Sequence, residues 1–292
     1  MILREITSHD SMFWRRLARF GAAHGPTWWV RYSPPVFGIL AAAAVPKARR
    51  AVLANLRRVR GEATRARNAI DTARTFATFA SCLAEVLSNG SKNASEPVAV
   101  VRGQGGLQRE LTRGGGAIFV TAHTAGWELV GPLVGQQLGV ELVMVMEPER
   151  DGGARRIHDR AREAACGIFI VHVGDDPVAA LPLLRHLRER RVVALQIDRA
   201  PSHIRTRPVR MFDAPARVPE GPIRLAQISG APIVPVFSAR LGFRRYLVEV
   251  HEPIHVPRRA SEAEIDAAAQ RIADAMTSFV RAHPVDWFDF RP

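Results

Sequence analysis

From residue 97 onward, short apolar runs alternate with amphipathic stretches along the chain. The runs at 98–101, 117–122, 141–146, 168–173, 192–197, 233–238 and 246–250 have the length and β-branched content of buried strands. Between them, apolar positions recur every three or four residues at 107–113, 127–138, 154–165, 178–190, 219–229 and 262–282, which predicts helices. Strands alternating with helices in this way build an α/β fold, with a mostly parallel central sheet flanked by helices. No repeat, linker or low-complexity segment divides the region, so it reads as one core.

The first third has a different texture. Residues 12–46 mix aromatic and basic side chains: Phe13, Trp14, Arg15, Arg16, Arg19 and Phe20, then Trp28, Trp29, Arg31 and Tyr32. Trp and Tyr favour the headgroup level of a bilayer and Arg pairs with lipid phosphate, so residues 1–46 read as a helical membrane-interface segment. A helix packed on the protein's own core is the other reading of the same pattern. The apolar run at 35–46 is well short of the roughly 20 residues needed to span a bilayer. Residues 47–67 carry Lys47, Arg49, Arg50, Arg57, Arg58, Arg60, Arg65 and Arg67 against the single acid Glu62, a bias that suits an anionic surface or a solvated face. The spacing of Phe76, Phe79, Leu83, Val86 and Leu87 then predicts a buried helical stripe. The first ten residues hold Arg4, Glu5 and Asp10 with no apolar run behind them, so no cleavable signal is expected there.

Charge sharpens this picture. The 292 residues include 41 basic and 28 acidic side chains, a formal net charge of +13, which calls for an anionic partner. Lysine occurs only at Lys47 and Lys92, so nearly all the cations are Arg, and an Arg-favouring genome accounts for part of the excess. Cys82 and Cys166 are far apart and lack metal-ligand spacing, so neither a disulfide framework nor a metal site is expected.

The apolar run 117–120 leads into Thr121-Ala122-His123-Thr124-Ala125-Gly126-Trp127-Glu128. A buried strand thus delivers His123 to its carboxyl end, where α/β sheets place their ligand sites. Glu128, five positions on, cannot share a helical face with it. The two can meet if His123 stays in the strand-to-helix turn and Glu128 lies in the first helical turn. A carboxylate holding one ring nitrogen leaves the other free to take a proton from a substrate hydroxyl. A capping His followed by a first-turn Glu gives the same spacing.

The flanking residues carry a resemblance. Val100-Val101-Arg102-Gly103, the run through Leu107 and Leu111, Gly114 to Gly116, the apolar strand and then His123 to Glu128 resemble the core of the bacterial late lipid A biosynthesis acyltransferases. These are part of the lysophospholipid and glycerol-phosphate acyltransferase superfamily. Downstream, Asp198-Arg199, Val209-Arg210-Met211-Phe212-Asp213-Ala214-Pro215, Val218-Pro219-Glu220-Gly221-Pro222 and Ser229-Gly230-Ala231-Pro232 fall in the family's order, as does Arg49-Arg50-Ala51-Val52-Leu53-Ala54-Asn55-Leu56 upstream. The resemblance runs from residue 47, so 47–292 is taken as an acyltransferase domain. It implies that His123 and Glu128 form a catalytic dyad. It also implies transfer of a fatty acyl group from an acyl-carrier-protein or CoA thioester to a lipid or glycolipid hydroxyl, lipid A-type first, on the cytoplasmic face of the inner membrane. The donor thioester is already activated, so no metal or further cofactor is expected.

Three departures from the family pattern stand out. Ala125-Gly126 replaces the usual Gly-Asn before Trp-Glu, Asp213 stands where Gly is usual, and the tail from His283 to Phe290 resembles a divergent branch. Other candidates for substrate contact are Arg160 and Arg162, for an acceptor phosphate or the oxyanion; Asp198 and Arg199, at the sheet edge expected for His123; Gly126, through backbone amides; and Glu220, beside a helix start. Gly103-Gln104-Gly105-Gly106 lacks the third glycine of a dinucleotide loop, since Gln108 holds that place, and no nucleophile elbow or phosphate loop occurs. The expected partners are the acyl donor and an anionic membrane lipid. A basic nucleic-acid-binding protein and a catalytically inactive lipid-binding relative are the alternatives.

Overall fold

The computed structural model describes residues 20–22, 24–91, 95–146, 169–172, 181–199 and 204–291. The predicted helix at 154–165, with Arg160 and Arg162, lies outside them.

Among the described residues, helices α1 (Thr27–Ala44), α2 (Pro46–Arg60) and α3 (Arg65–Leu87) precede the sheet. In α1 a stripe of Val30, Pro34, Gly38 and Ala42 is buried. It lies on α3 so closely that a Cβ on Gly38 would stand 2.4 Å from the carbonyl oxygen of Phe76. The rest of α1 stays exposed and apolar, with Trp28, Trp29, Tyr32, Val36, Phe37, Ile39 and Leu40 uncovered. One side of this segment therefore packs on the protein itself and the other does not. Helix α2 buries Ala51, Val52, Leu56 and Val59 and turns Arg49, Arg50, Arg57 and Arg58 outward, while Arg60 pairs with the buried Asp71 of α3. No described helix is long and apolar enough to cross a membrane.

The α/β region then runs β1 (Val98–Arg102), α4 (Gly105–Thr112), β2 (Ala117–Thr121), α5 (Trp127–Leu138), β3 (Leu142–Met146), β4 (Phe169–His172), α6 (Leu181–Arg188), β5 (Val192–Gln196), β6 (Thr206–Met211), β7 (Ala214–Pro219), α7 (Gly221–Ser229), β8 (Ile233–Gly242), β9 (Arg245–Val250) and α8 (Glu262–Ala282), ending in a 3-10 turn at Pro284–Asp286. Seven strands form one sheet in the order β1-β9-β8-β2-β5-β3-β4. Every neighbouring pair is parallel except β8 with β9. The mostly parallel α/β architecture is thus the one the periodicity predicts.

Alternate residues of each strand feed opposite faces, as the two-residue period of a strand requires. On β2, Ile118 and Val120 join a core shared with α7 and α8, where Ile223, Ile265, Ile272 and Phe279 are fully buried. Ala117 and Phe119 join a second core beneath α5, with Leu129, Val130 and Tyr246. Outside the sheet, β6 and β7 form an antiparallel hairpin that the apolar pattern did not predict.

Candidate active site

Strand register decides what meets at the carboxyl edge of the sheet. β2 and β5 pair residue for residue up to Thr121 opposite Gln196. Two residues past each strand end stand His123 and Asp198, so the parallel ladder delivers them side by side. Nδ1 of His123 lies 2.8 Å from Oδ1 of Asp198. The backbone N–H of His123 donates to Oδ2 at 3.2 Å, and the indole N–H of Trp287 donates to the same oxygen at 3.0 Å. The Asp198 side chain is wholly buried, whereas His123 keeps 23% of its side chain exposed. The imidazole therefore shields the carboxylate from solvent and itself remains reachable.

Burial alone would raise the Asp198 carboxyl. The bonds from His123 and Trp287 and the nearby Arg199 charge outweigh that cost and hold it below the usual carboxylate range. An ionised carboxylate only accepts, so Nδ1 carries a proton, and in the neutral ring Nε2 carries the lone pair. This is the protonation pattern of a general base.

The turn that holds His123 is built tightly. Gly126 adopts a left-handed φ of 78° just ahead of α5, and a Cβ there would stand 2.1 Å from the ring of Tyr246. Trp127 sets its ring edge-on to the imidazole at 6.1 Å. Beneath it, Thr121, Trp127, Val130, Gly131, Leu142 and Met144 help line a narrow apolar cavity of about 40 Å³ between α5 and the sheet.

Residues after the last helix complete the site. Trp287 pairs with Thr124 in an antiparallel bridge, and the Phe288 N–H donates to the His123 carbonyl at 2.8 Å. Arg199 donates to the Phe288 carbonyl, while Arg291 donates to the Asp198 carbonyl at 3.0 Å. Phe288 and Phe290 lie against Phe79 of α3 with ring centroids 5.3 and 5.0 Å away, which ties the strap to the helical region.

The sequence candidates thus separate. His123, Gly126, Asp198 and Arg199 come together, with Arg199 turned to the strap. Glu128 sits in the first turn of α5, partly exposed, where its charge suits the helix dipole. The ring-nitrogen bond expected from a carboxylate is made, on Nδ1, by Asp198. Glu220 is buried and paired with Arg207 at 2.9 Å and with Arg224. Among the described residues no hydrogen bond or ion pair joins Glu220 to the His123 turn. Trp287, Tyr246 and Phe288 were not singled out from the sequence as site residues. The aromatic cluster 287–290 was the available signal, but nothing local says which turn it covers.

The model of the bacterial lipid A biosynthesis acyltransferase family matches residues 19–292. A phosphatidylinositol mannoside acyltransferase of Mycobacterium tuberculosis (strain CDC 1551 / Oshkosh) is 26% identical over 204 residues, which are 70% of this chain and 62% of that protein. The protein of the same description in Mycolicibacterium smegmatis is 23% identical over 186 residues, covering 64% of this chain and 59% of its own length. The matched part therefore spans about three fifths of those curated relatives. With the family model extending across the helical region, the sheet, the His123 turn and the strap, the chain belongs to the bacterial lipid A biosynthesis acyltransferase family.

Proposed function

We propose that the protein is a membrane-associated O-acyltransferase that moves a fatty acyl group from an acyl-carrier-protein or CoA thioester to a hydroxyl of a glycolipid. The observation that carries this is His123, with Nδ1 held by a buried carboxylate at the carboxyl edge of the sheet, in a chain of an acyltransferase family. Nε2 takes the acceptor hydroxyl proton as that oxygen attacks the thioester carbonyl. The tetrahedral intermediate collapses, the new ester forms, and the thiolate leaves with the proton returned by the imidazolium. Backbone amides at the start of α5, whose dipole is positive there, support the oxyanion. Asp198 holds and orients the base, and Glu128 is the second carboxylate of the motif.

The comparisons support a glycolipid as the acceptor class. Lipid A is a glycolipid, and so is the phosphatidylinositol mannoside for which the relatives are named. The exposed aromatic face of α1 and the arginines of α2 support docking on an anionic bilayer, which we place at the cytoplasmic face of the inner membrane.

The test is mass spectrometry of total lipids from cells expressing the protein or its His123→Ala variant. The parent should yield a glycolipid heavier by one acyl chain, and the variant, still folded, should not. Full transfer by the variant overturns the role of His123.

A further inference from the structure

We propose that Trp287 is a positioning residue for the base: its indole N–H, fixed on Oδ2 of Asp198, locks the carboxylate that sets the tautomer and orientation of His123. The proposal rests on the acyltransferase reading for its kinetic arm alone.

Consider what holds Asp198. Rotation of a carboxylate about its last side-chain bond is soft and roughly two-fold, so a single hydrogen bond leaves its plane poorly defined. Oδ1 faces the imidazole at 2.8 Å. Oδ2 receives two donors, the His123 backbone N–H at 3.2 Å and the Trp287 indole at 3.0 Å. Without Trp287, the only donor described on Oδ2 would be the longer of these two bonds. With it, three donors on two oxygens fix the carboxylate plane, and the imidazole must meet that plane with Nδ1–H.

The residue type matters as much as the distance. An indole nitrogen donates and never accepts. A hydroxyl in the same place could turn and accept from a protonated Asp198, whereas an indole is compatible only with the acceptor form.

Trp287 is itself immobilised. It is buried, its ring lies 5.5 Å from that of Phe212 at the β6–β7 turn, and its backbone bridges to Thr124. The next residue donates to the His123 carbonyl at 2.8 Å. The indole and the histidine turn are therefore parts of one clamp, and the N–H cannot leave Asp198 without the buried ring giving up its packing beside Phe212.

The test uses the full chain, with Trp287→Phe removing the N–H while keeping an aromatic ring. The ring-nitrogen chemical shifts of His123, assigned by their loss in His123→Ala, report the tautomer independently of turnover. The parent should show the Nδ1–H form alone and Trp287→Phe a mixture of both tautomers. In acyl transfer, kcat should fall about tenfold with KM changed by less than about twofold. In an Asp198→Asn background the same replacement should cost less than about twofold, because the two residues act through one bond. A folded Trp287→Phe with the parent's tautomer, or losses that add in full, overturns the proposal. If Trp287→Phe does not fold, the indole N–H resonance of Trp287 decides. It should shift when Asp198 becomes Asn, and its indifference to that change overturns the assignment. The tautomer readout stands even if the protein proves to transfer no acyl group, so the two readings fail separately.

Discussion

Gly126 shows how one residue constrains the site twice. Its φ of 78° is open to glycine without strain, and its missing side chain leaves the room that the Tyr246 ring occupies. Gly126→Ala should therefore lower the unfolding free energy by roughly 2–4 kcal/mol, combining backbone strain with overpacking, as read from urea denaturation. An unchanged urea midpoint would contradict the close packing. His123 and Gly126 are legible in the sequence because an apolar strand leads straight into them. Asp198 is legible only as a resident of the same edge. Its bond to the imidazole depends on β2 lying next to β5 with Thr121 opposite Gln196, a pairing across 75 residues that no local period records. Phe212 and Asp213, with φ of 53° and 63°, make a similar point. The family's usual Gly at 213 fits a left-handed turn position, and Asp is among the few residues that tolerate one.

At the scale of elements, local signals fared best where capping chemistry is explicit. Helix α5 starts and ends on left-handed glycines, Gly126 and Gly139. Helix α8 opens with a capping box between Ser261 and Glu264. Both helices occupy the predicted ranges. The β6–β7 hairpin escaped because its strands are rich in Arg and Pro and alternate weakly, with Phe-Asp at the turn in place of the usual Asn-Gly. Elements also meet through buried charge. Glu85 of α3 accepts from Arg240 at 2.6 Å, from the Arg244 backbone at 3.0 Å and from the Tyr246 hydroxyl. Those bonds tie α3 to the β8–β9 pair and, through Tyr246, to the Gly126 turn.

Nearby, Asp286 of the 3-10 turn accepts the Arg240 N–H at 3.2 Å. Burial pushes its carboxyl up to about 6, against that bond and the His283 and Arg240 charges. In the unfolded chain the group titrates near 3.9. The stability this group contributes is thus complete below about pH 3.9 and is lost as pH rises through about 6. Above that, the ionised, buried form costs roughly 2–3 kcal/mol. Asp286→Asn should equal its parent near pH 4 and exceed it by about that amount near pH 8, in denaturant titrations across the range. Parallel curves for the two proteins would contradict the burial of a proton there.

For the whole molecule, the decisive feature is the asymmetry of the helical region. One stripe of α1 is used up on α3, and the aromatic and aliphatic remainder faces out beside the arginines of α2. An exposed apolar face of this size beside basic residues suits a lipid surface. Replacing Trp28 and Phe37 by Ser should weaken binding to neutral and anionic vesicles alike. Replacing Arg49 and Arg50 by Gln should weaken only the anionic case, by about thirtyfold, and added salt should erase that difference. Equal loss on both vesicle types in the arginine variant would contradict electrostatic docking. The sequence showed the mixture of aromatic and basic residues, but not which side of α1 the fold would cover, because that depends on the groove Gly38 finds against Phe76.

The clamp around the imidazole also has a consequence in time. His123, Asp198 and Trp287 come from three distant stretches of chain, and 89 residues separate the carboxylate from the indole. A nascent chain that has passed the β5 strand already owns a histidine and its acid but not the donor that fixes them. Long-range closures of this kind form late, because the loop entropy must be met before the contact is made. The clamp is therefore completed in the last stages of folding, once residue 287 reaches the sheet edge, and on the proposed function a half-made chain has little means of acylating whatever lipid it meets.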